Sequence, residues 1–203
     1  MGMRAASLTA MFFIALITTV SYGQEFSADV VYVDSNGKVS ASHPASKIYV
    51  NKDKIRLETN GFTGTVLLVD RADQNNFVLQ PKRKTYQSLA SGPSEYFRVE
   101  HPDDACATWQ RAGDQKIVCE KVDTEMVNGR EAVKYQNKAA TEISTSVVWI
   151  DKSLKFVIKW QSADAGAELR NIKEEKQAAE LFNVPQDYKT ASPQKGSKGF
   201  SHR

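Results

Sequence analysis

Histidine is scarce in this sequence, and the motifs of nucleophilic or metal-assisted catalysis are missing. The chain of 203 residues has three histidines. His202 lies in a polar C-terminal stretch, His43 in a proline-containing loop and His101 in a segment of mixed polarity, and none has a nucleophile at a suggestive spacing. There is no Gly-x-Ser-x-Gly, no phosphate-binding loop and no His-Glu-x-x-His pattern. We therefore expect a protein that is not an enzyme and that has no cofactor.

A hydrophobic run long enough to cross a membrane is also missing. The longest run, from about Leu8 to Val20, falls short of the ~20 residues that a transmembrane helix requires. It follows the charge of Arg4 and ends in small residues at Gly23, which is the pattern of a secretory signal peptide. We expect residues 1–23 to be removed on export, which leaves a periplasmic or secreted protein. No cysteine lies near the cleavage point, so we expect no lipid-modified N-terminus.

Only two cysteines occur, Cys106 and Cys119. Both lie in the part expected to be exported, where an oxidising compartment favours pairing, and we expect a disulfide between them. A reactive or metal-bound thiol is the alternative. His101, Asp103 and Asp104 lie nearby, but their spacing matches no zinc-binding pattern, so we expect no metal site.

Neither sign of charge is in large excess, since 27 Lys and Arg stand against 24 Asp and Glu. The two signs are interspersed, which argues against nucleic acid as a partner. The basic trio at 82–84 is expected to be a solvated turn. After export about 180 residues remain, enough for one domain over 24–189, which we expect to be a monomer.

What the sequence has is strand periodicity. From Phe26 onwards, short segments alternate between apolar and polar residues, and Asn-Gly dipeptides at 36–37, 60–61 and 128–129 predict tight hairpin turns. We count ten or eleven antiparallel strands. A sheet of that size rarely stays flat, so the prediction is a mainly β protein with a single strongly curled antiparallel sheet, a half-barrel, and a short helical lid.

Two segments are candidates to cover the concave face of this sheet. In residues 91–114 the alternation stops, and we predict two short helices there, one over about 95–99 and one from Asp103-Asp104 through Trp109. Near the C-terminus, Ala178 to Tyr188 is expected to lie against the sheet as an apolar plug. Residues 190–203 are polar and are expected to be disordered.

A hairpin over 142–162, EISTSVVWIDKSLKFVIKWQS, has the strongest alternation. A turn centred on Lys152-Ser153 would place Trp149 opposite Phe156, Val147 opposite Ile158 and Thr145 opposite Trp160. These apolar side chains would then share the concave face, with Lys155 and Lys159 in water.

Several segments together resemble a known family: KIYVNKDKIRLE and VLLVDRADQNNFVLQPKRKTYQSL within residues 46–89, then VNGREAVKY, VVWIDKSLKFVIKW and ELFNVPQDYK. They look like the exported lipoprotein-carrier superfamily (LolA-like, with LolB- and LppX-like relatives), and most of all like its secreted members of unknown function. The resemblance implies an open half-barrel with a helical lid over an apolar cavity that receives acyl chains or another lipid. The carriers have an Arg-Pro pair that helps to hold the lid, whereas this sequence has Asn51-Lys52 at that position.

Two functions follow as expectations. In the first, a lipid or other hydrophobic ligand occupies the cavity of the half-barrel, as in a periplasmic carrier or chaperone, and aromatic residues line it. In the second, the protein is a structural or interaction module of the cell envelope, with a closed core and no small ligand, and the same aromatics are ordinary core residues. An envelope protein is a possible partner in either case. The lining aromatics would be Tyr32, Tyr49, Trp149, Phe156 and Trp160.

Overall fold

The structure is a computed structural model that describes residues 25–59, 64–89, 97–112, 117–139 and 145–191. The expected signal peptide and most of the expected C-terminal tail lie outside these ranges. The described strands are β1 (Phe26–Asp34), β2 (Ser46–Val50), β3 (Lys54–Glu58), β4 (Val66–Asp70), β5 (Asn76–Gln80), β6 (Thr85–Leu89), β7 (Ile117–Val127), β8 (Arg130–Ala139), β9 (Thr145–Asp151), β10 (Phe156–Gln161), β11 (Ala165–Glu174) and β12 (Lys189–Thr190). The helix α1 spans Ala105–Ala112.

All twelve strands form one sheet, in the order β12-β6-β5-β4-β3-β2-β1-β11-β10-β9-β8-β7. Every neighbouring pair is antiparallel except β12 with β6, a two-residue parallel pair at one edge. Within the described ranges the sheet is open, because its edge strands β7 and β12 do not pair with each other. The mainly β single-sheet prediction is confirmed. Thr190, expected in the disordered tail, instead belongs to β12.

Alternation of buried side chains explains why these segments pair as strands. In β1 the buried positions include Phe26, Ala28 and Val30, and in β2 they are Ser46, Ile48 and Val50. The apolar residues among these belong to a buried cluster, and we call its part on β1–β4 and β11 the inner core: Phe26, Ala28, Val30, Ile48, Val50, Ile55, Val69, Ala167 and Leu169. The predicted Asn128-Gly129 turn is present between β7 and β8, with positive φ angles of 50° and 80°. The Asn-Gly at 60–61 lies outside the described residues.

The register predicted for the β9–β10 hairpin is wrong. Phe156 pairs with Asp151, and Trp149 pairs with Lys159 rather than with Phe156. Two local features cause the difference: the turn is longer than expected, with Lys155 at φ 54°, and the ladder is irregular between Val157 and Lys159. A bulge adds one residue to one strand, so every later side chain changes its partner.

Residues 97–112, the described part of the lid predicted over 91–114, are only partly helical. Residues 102–104 form a 3-10 turn and α1 follows, which confirms the second predicted helix. Residues 97–99 are not helical, contrary to the first prediction, and Arg98 forms an isolated antiparallel bridge with Phe156; residues 95 and 96 of that predicted helix lie outside the described ranges. Val99 N donates to Lys155 O at 2.9 Å, and Val157 N donates to Phe97 O at 2.8 Å. β11 pairs only with residues 159–161 of β10. The lid therefore provides the backbone partners for the first part of β10.

The helix is held on the sheet by Trp109, a tyrosine and the disulfide. Trp109 is 1% exposed and its ring meets that of Tyr135 edge-on, with centroids 5.5 Å apart. The Tyr135 hydroxyl donates to Pro102 O at 2.8 Å and accepts from Ala105 N at 3.2 Å. Burial raises the pKa of Tyr135.

No helix in the described ranges is both long and apolar enough to cross a membrane.

The predicted disulfide between Cys106 and Cys119 is present and joins α1 to the edge strand β7. Its partners are 13 residues apart in sequence, and closing a loop of that size is worth about 3 kcal/mol in the chain-entropy model. We expect the double substitution Cys106→Ser/Cys119→Ser to lower the free energy of unfolding by about that amount. Urea denaturation of the variant, beside oxidised and reduced wild type, measures it. Equal midpoints for the oxidised and reduced protein would contradict the prediction.

The C-terminal segment covers the opposite face from the one expected. Val184 and Tyr188 pack on Val66, Leu68 and Leu79. Along β4, residues 66 and 68 alternate with residues 67 and 69, which pack with the inner core, so the two sets point to opposite faces. The segment is a plug on the outer face, whereas Phe97 of the lid packs against the inner core.

Candidate apolar ligand site

The inner face of the sheet contains a small enclosed cavity of about 80 Å³. Its walls come from β1–β4, β10, β11 and the extended part of the lid. The lining side chains are all apolar or aromatic: Val30, Tyr32, Ile48, Ile55, Leu57, Leu67, Val69, Phe97, Phe156, Val157, Trp160 and Leu169. Strands as far apart in the sheet as β4 and β10 can only face one cavity if the sheet curves around it, which agrees with the predicted half-barrel.

A wider groove of about 320 Å³ adjoins this cavity. Phe97, Val157 and Trp160 contribute to both and form the wall between them. The groove also includes Val148 of β9 and three polar residues at the ends of β9 and β10, Ser146, Gln161 and Ser162. It therefore has an apolar floor and a polar rim.

Three of the five aromatics singled out from the sequence line the cavity. Tyr32 does so with its ring, while its hydroxyl lies 3.4 Å from Ser46 Oγ. Phe156 packs edge-on against Phe26, with centroids 5.1 Å apart, and stacks on Phe97 at 6.2 Å. Trp160 is half-buried between the cavity and the groove.

Trp149 does not line the cavity or the groove. Trp160 pairs with Val148, so Trp160 and Val148 share a face, whereas Trp149 follows Val148 in β9 and points to the other face. There the Trp149 indole donates to Glu125. Lys134 and Lys159 lie over its ring, with their Nζ atoms 5.2 and 4.5 Å from the centroid. The expectation that Trp149 and Trp160 share the concave face is wrong, because the β10 bulge shifts the register.

Tyr49 is also outside the cavity. Its neighbours Ile48 and Val50 are buried in the inner core, so the Tyr49 side chain lies on the opposite face, where it pairs with Arg56 of β3. Sequence reasoning placed it wrongly because tyrosine is amphipathic. An apolar-polar alternation that reads Ile-Tyr-Val does not show which of the two faces is buried.

A charged group that the sequence did not reveal lies beside the cavity. Arg98 of the lid is 8% exposed, and its guanidinium carbon lies 5.8 Å from the Phe156 ring centroid. Its Nη2 donates to Asn51 O at 3.4 Å. Burial, together with the neighbouring charge of Arg71, lowers the pKa of Arg98 to about 10, while Asp53 acts in the opposite direction. Within the described ranges, no three His, Cys, Asp or Glu side chains come together as a metal site requires.

The fold and the cavity define the class: a protein with one open, curved β-sheet that carries an apolar hollow on its inner face. No family model matches the chain, and no curated protein matches its sequence. In fold the chain is similar to an uncharacterized conserved protein from Thermus thermophilus, with a TM-score of 0.53 and 9% identity over 83% of this chain and 90% of that one.

The chain is also similar to PNGF-II, with a TM-score of 0.52 and 15% identity over 82% of this chain, although it spans only 30% of PNGF-II. A LolA-superfamily protein from Nitrosomonas europaea matches at a TM-score of 0.36 and 9% identity, over 79% of this chain and 90% of that one, a likeness too slight to carry an argument. At these identities the likenesses concern the fold alone.

Proposed function

We propose that this protein binds a lipid or another hydrophobic ligand on the inner face of its sheet, as an exported carrier or chaperone. The observation that carries the proposal is the apolar lining shared by the cavity and the groove. All twelve residues that line the cavity are apolar or aromatic. Ligand sites are mostly apolar with few polar groups, and their volumes begin at about 300 Å³, which the groove of about 320 Å³ reaches.

The dimensions indicate how such a ligand would lie. The cavity of about 80 Å³ is well below the roughly 300 Å³ at which ligand sites begin, and it is too small for an acyl chain. The chain would lie along the groove, against the wall that Phe97, Val157 and Trp160 form. Export is part of the proposal, and it is supported by the disulfide, which persists in oxidising compartments.

Substitution of the shared wall tests this proposal. We expect Trp160→Ala to weaken the binding of the neutral probe N-phenyl-1-naphthylamine about tenfold or more, because the ligand loses an aromatic contact surface worth roughly 1.5–3 kcal/mol. Probe fluorescence, titrated at a temperature where each variant is folded, gives the dissociation constants. Trp149→Ala is the matched control, since that tryptophan lies on the opposite face and its loss should leave probe affinity unchanged.

The second candidate is an envelope module without a small ligand. It is favoured by the small size of the enclosed cavity and by the packing of Phe26, Phe97 and Phe156 beside it. In that case neither the probe nor a lipid would bind the wild-type protein. Equal weakening by Trp149→Ala and Trp160→Ala would also contradict the proposed site.

A further inference from the structure

Two arginines from distant parts of the chain meet beside the apolar cavity. Arg98 comes from the extended part of the lid, directly after Phe97, which lines the cavity. Arg71 follows β4, two residues after Val69, which lines it as well. The Arg71 backbone N–H donates to Asp53 O at 2.9 Å, which fixes the turn after β4 against the turn before β3.

Arg71 has an unsatisfied donor. Its side-chain Nε is buried and has no hydrogen-bond partner among the described residues. A buried donor without an acceptor costs about 1–3 kcal/mol, and more for a charged group, so native structures normally supply one. An arginine with a purely structural role would be expected to satisfy this N–H within the protein. The orphan nitrogen therefore points to an acceptor that comes from a ligand.

The local charge has the sign that suits an anion. Arg71 is close enough to Arg98 for its charge to lower the pKa of Arg98, and the carboxylate of Asp53 acts in the opposite direction. Two guanidinium groups and one carboxylate leave an excess positive charge in a partly desolvated place, where charges interact more strongly than in water. Phe156 lies against Arg98, so the same place borders the apolar lining.

We propose that Arg71 and Arg98 bind the anionic headgroup, a carboxylate or a phosphate, of an amphipathic ligand whose hydrocarbon chain lies on the inner face of the sheet. This rests on the proposed function and narrows the ligand to anionic lipids. Guanidinium groups bind carboxylate and phosphate oxygens through paired N–H donors. The lipid is favoured over a free anion because Val69, Phe97 and Phe156 connect the arginines to the apolar cavity.

The test compares two ligands that differ only in the headgroup, dodecanoate and dodecanol, by displacement of N-phenyl-1-naphthylamine at pH 8. For the wild type we expect dodecanoate to bind about tenfold or more tightly than dodecanol, the size of one hydrogen bond to a charged group. In Arg71→Gln and in Arg98→Gln the ratio should fall to about one, with dodecanol affinity unchanged. Arg111→Gln, at an exposed arginine of α1, should keep the wild-type ratio.

The possible negative results distinguish the headgroup site from the proposed function. If dodecanoate and dodecanol bind the wild type equally, the headgroup site is overturned while the proposed function stands, and if neither binds, both are overturned. Acetate or inorganic phosphate that binds as tightly as dodecanoate would overturn the assignment to a lipid. If Arg98→Gln does not fold, Arg71→Gln and Arg71→Lys carry the test, because the Arg71 residue is only partly buried.

Discussion

Asp151→Ala is expected to destabilise the protein by about 3–5 kcal/mol, the cost of removing one partner from a buried ion pair. Asp151 is 1% exposed, and its Oδ1 accepts from the backbone N–H groups of Ser153 at 2.8 Å and Leu154 at 2.6 Å. Its carboxylate also forms an ion pair with Arg130 of β8. The Nη2 atom of Arg130 in turn lies 2.8 Å from Oε1 of Glu174 in β11. One side chain therefore fixes the β9–β10 turn and connects it to two other strands.

Urea denaturation followed by circular dichroism measures this loss. A typical domain is stable by about 5–15 kcal/mol, so the loss is a large part of the total. Asp151→Asn keeps an acceptor for the turn and should cost less. Glu174→Gln, at a carboxylate that is half exposed, should cost less than about 1 kcal/mol. If Asp151→Ala shifted the midpoint no further than Glu174→Gln, the buried network would not have the role assigned to it.

Trp149→Ala is expected to cost about 3–5 kcal/mol, the range for truncating a buried aromatic residue. Trp149 is 6% exposed, and on the face opposite the cavity its ring lies beside the Nζ atoms of Lys134 and Lys159. Trp149→Phe keeps most of the buried surface and loses the bond to Glu125, so it should cost about 1 kcal/mol.

Thermal and urea unfolding of the three proteins gives these free energies. Trp149→Ala should lower stability without a loss of ligand affinity, whereas Trp160→Ala should lower affinity. A Trp149→Ala variant that unfolds at the wild-type denaturant concentration would show that this tryptophan is not part of the core.

Period-two alternation was sufficient to predict the single large sheet, because strands with one buried face leave this pattern in nearly every segment. The disulfide followed from the cysteine count and the expected compartment. Tyr32, Phe156 and Trp160 line the cavity, although the register predicted for Phe156 and Trp160 is wrong, and their contact with a ligand stays a prediction. Both side chains line the cavity because large aromatic side chains are buried on the inner face, and the predicted strand pairing did not contribute to this result.

The features that sequence reasoning missed are set by tertiary structure. The residues around the β9–β10 turn do not indicate that Lys155 adopts a positive φ angle or that the ladder is irregular after Val157. That irregularity places Trp149 and Trp160 on opposite faces of the sheet. Residues 97–99 have no strong strand pattern, and they are extended because β10 offers unpaired backbone groups to them. Arg71 and Arg98 are 27 positions apart in the sequence, so no motif could bring them together.

The central claim is that the inner face of the sheet holds a hydrophobic ligand. It is tested most directly by expression of the full-length sequence and native mass spectrometry of the protein purified from the exported fraction, combined with solvent extraction and lipid analysis. The account predicts a bound species of lipid mass that is released on denaturation, recovered in the extract and depleted in Trp160→Ala but not in Trp149→Ala. A wild-type protein that carries no lipid, and that binds neither the neutral probe nor dodecanoate when they are added, would contradict it.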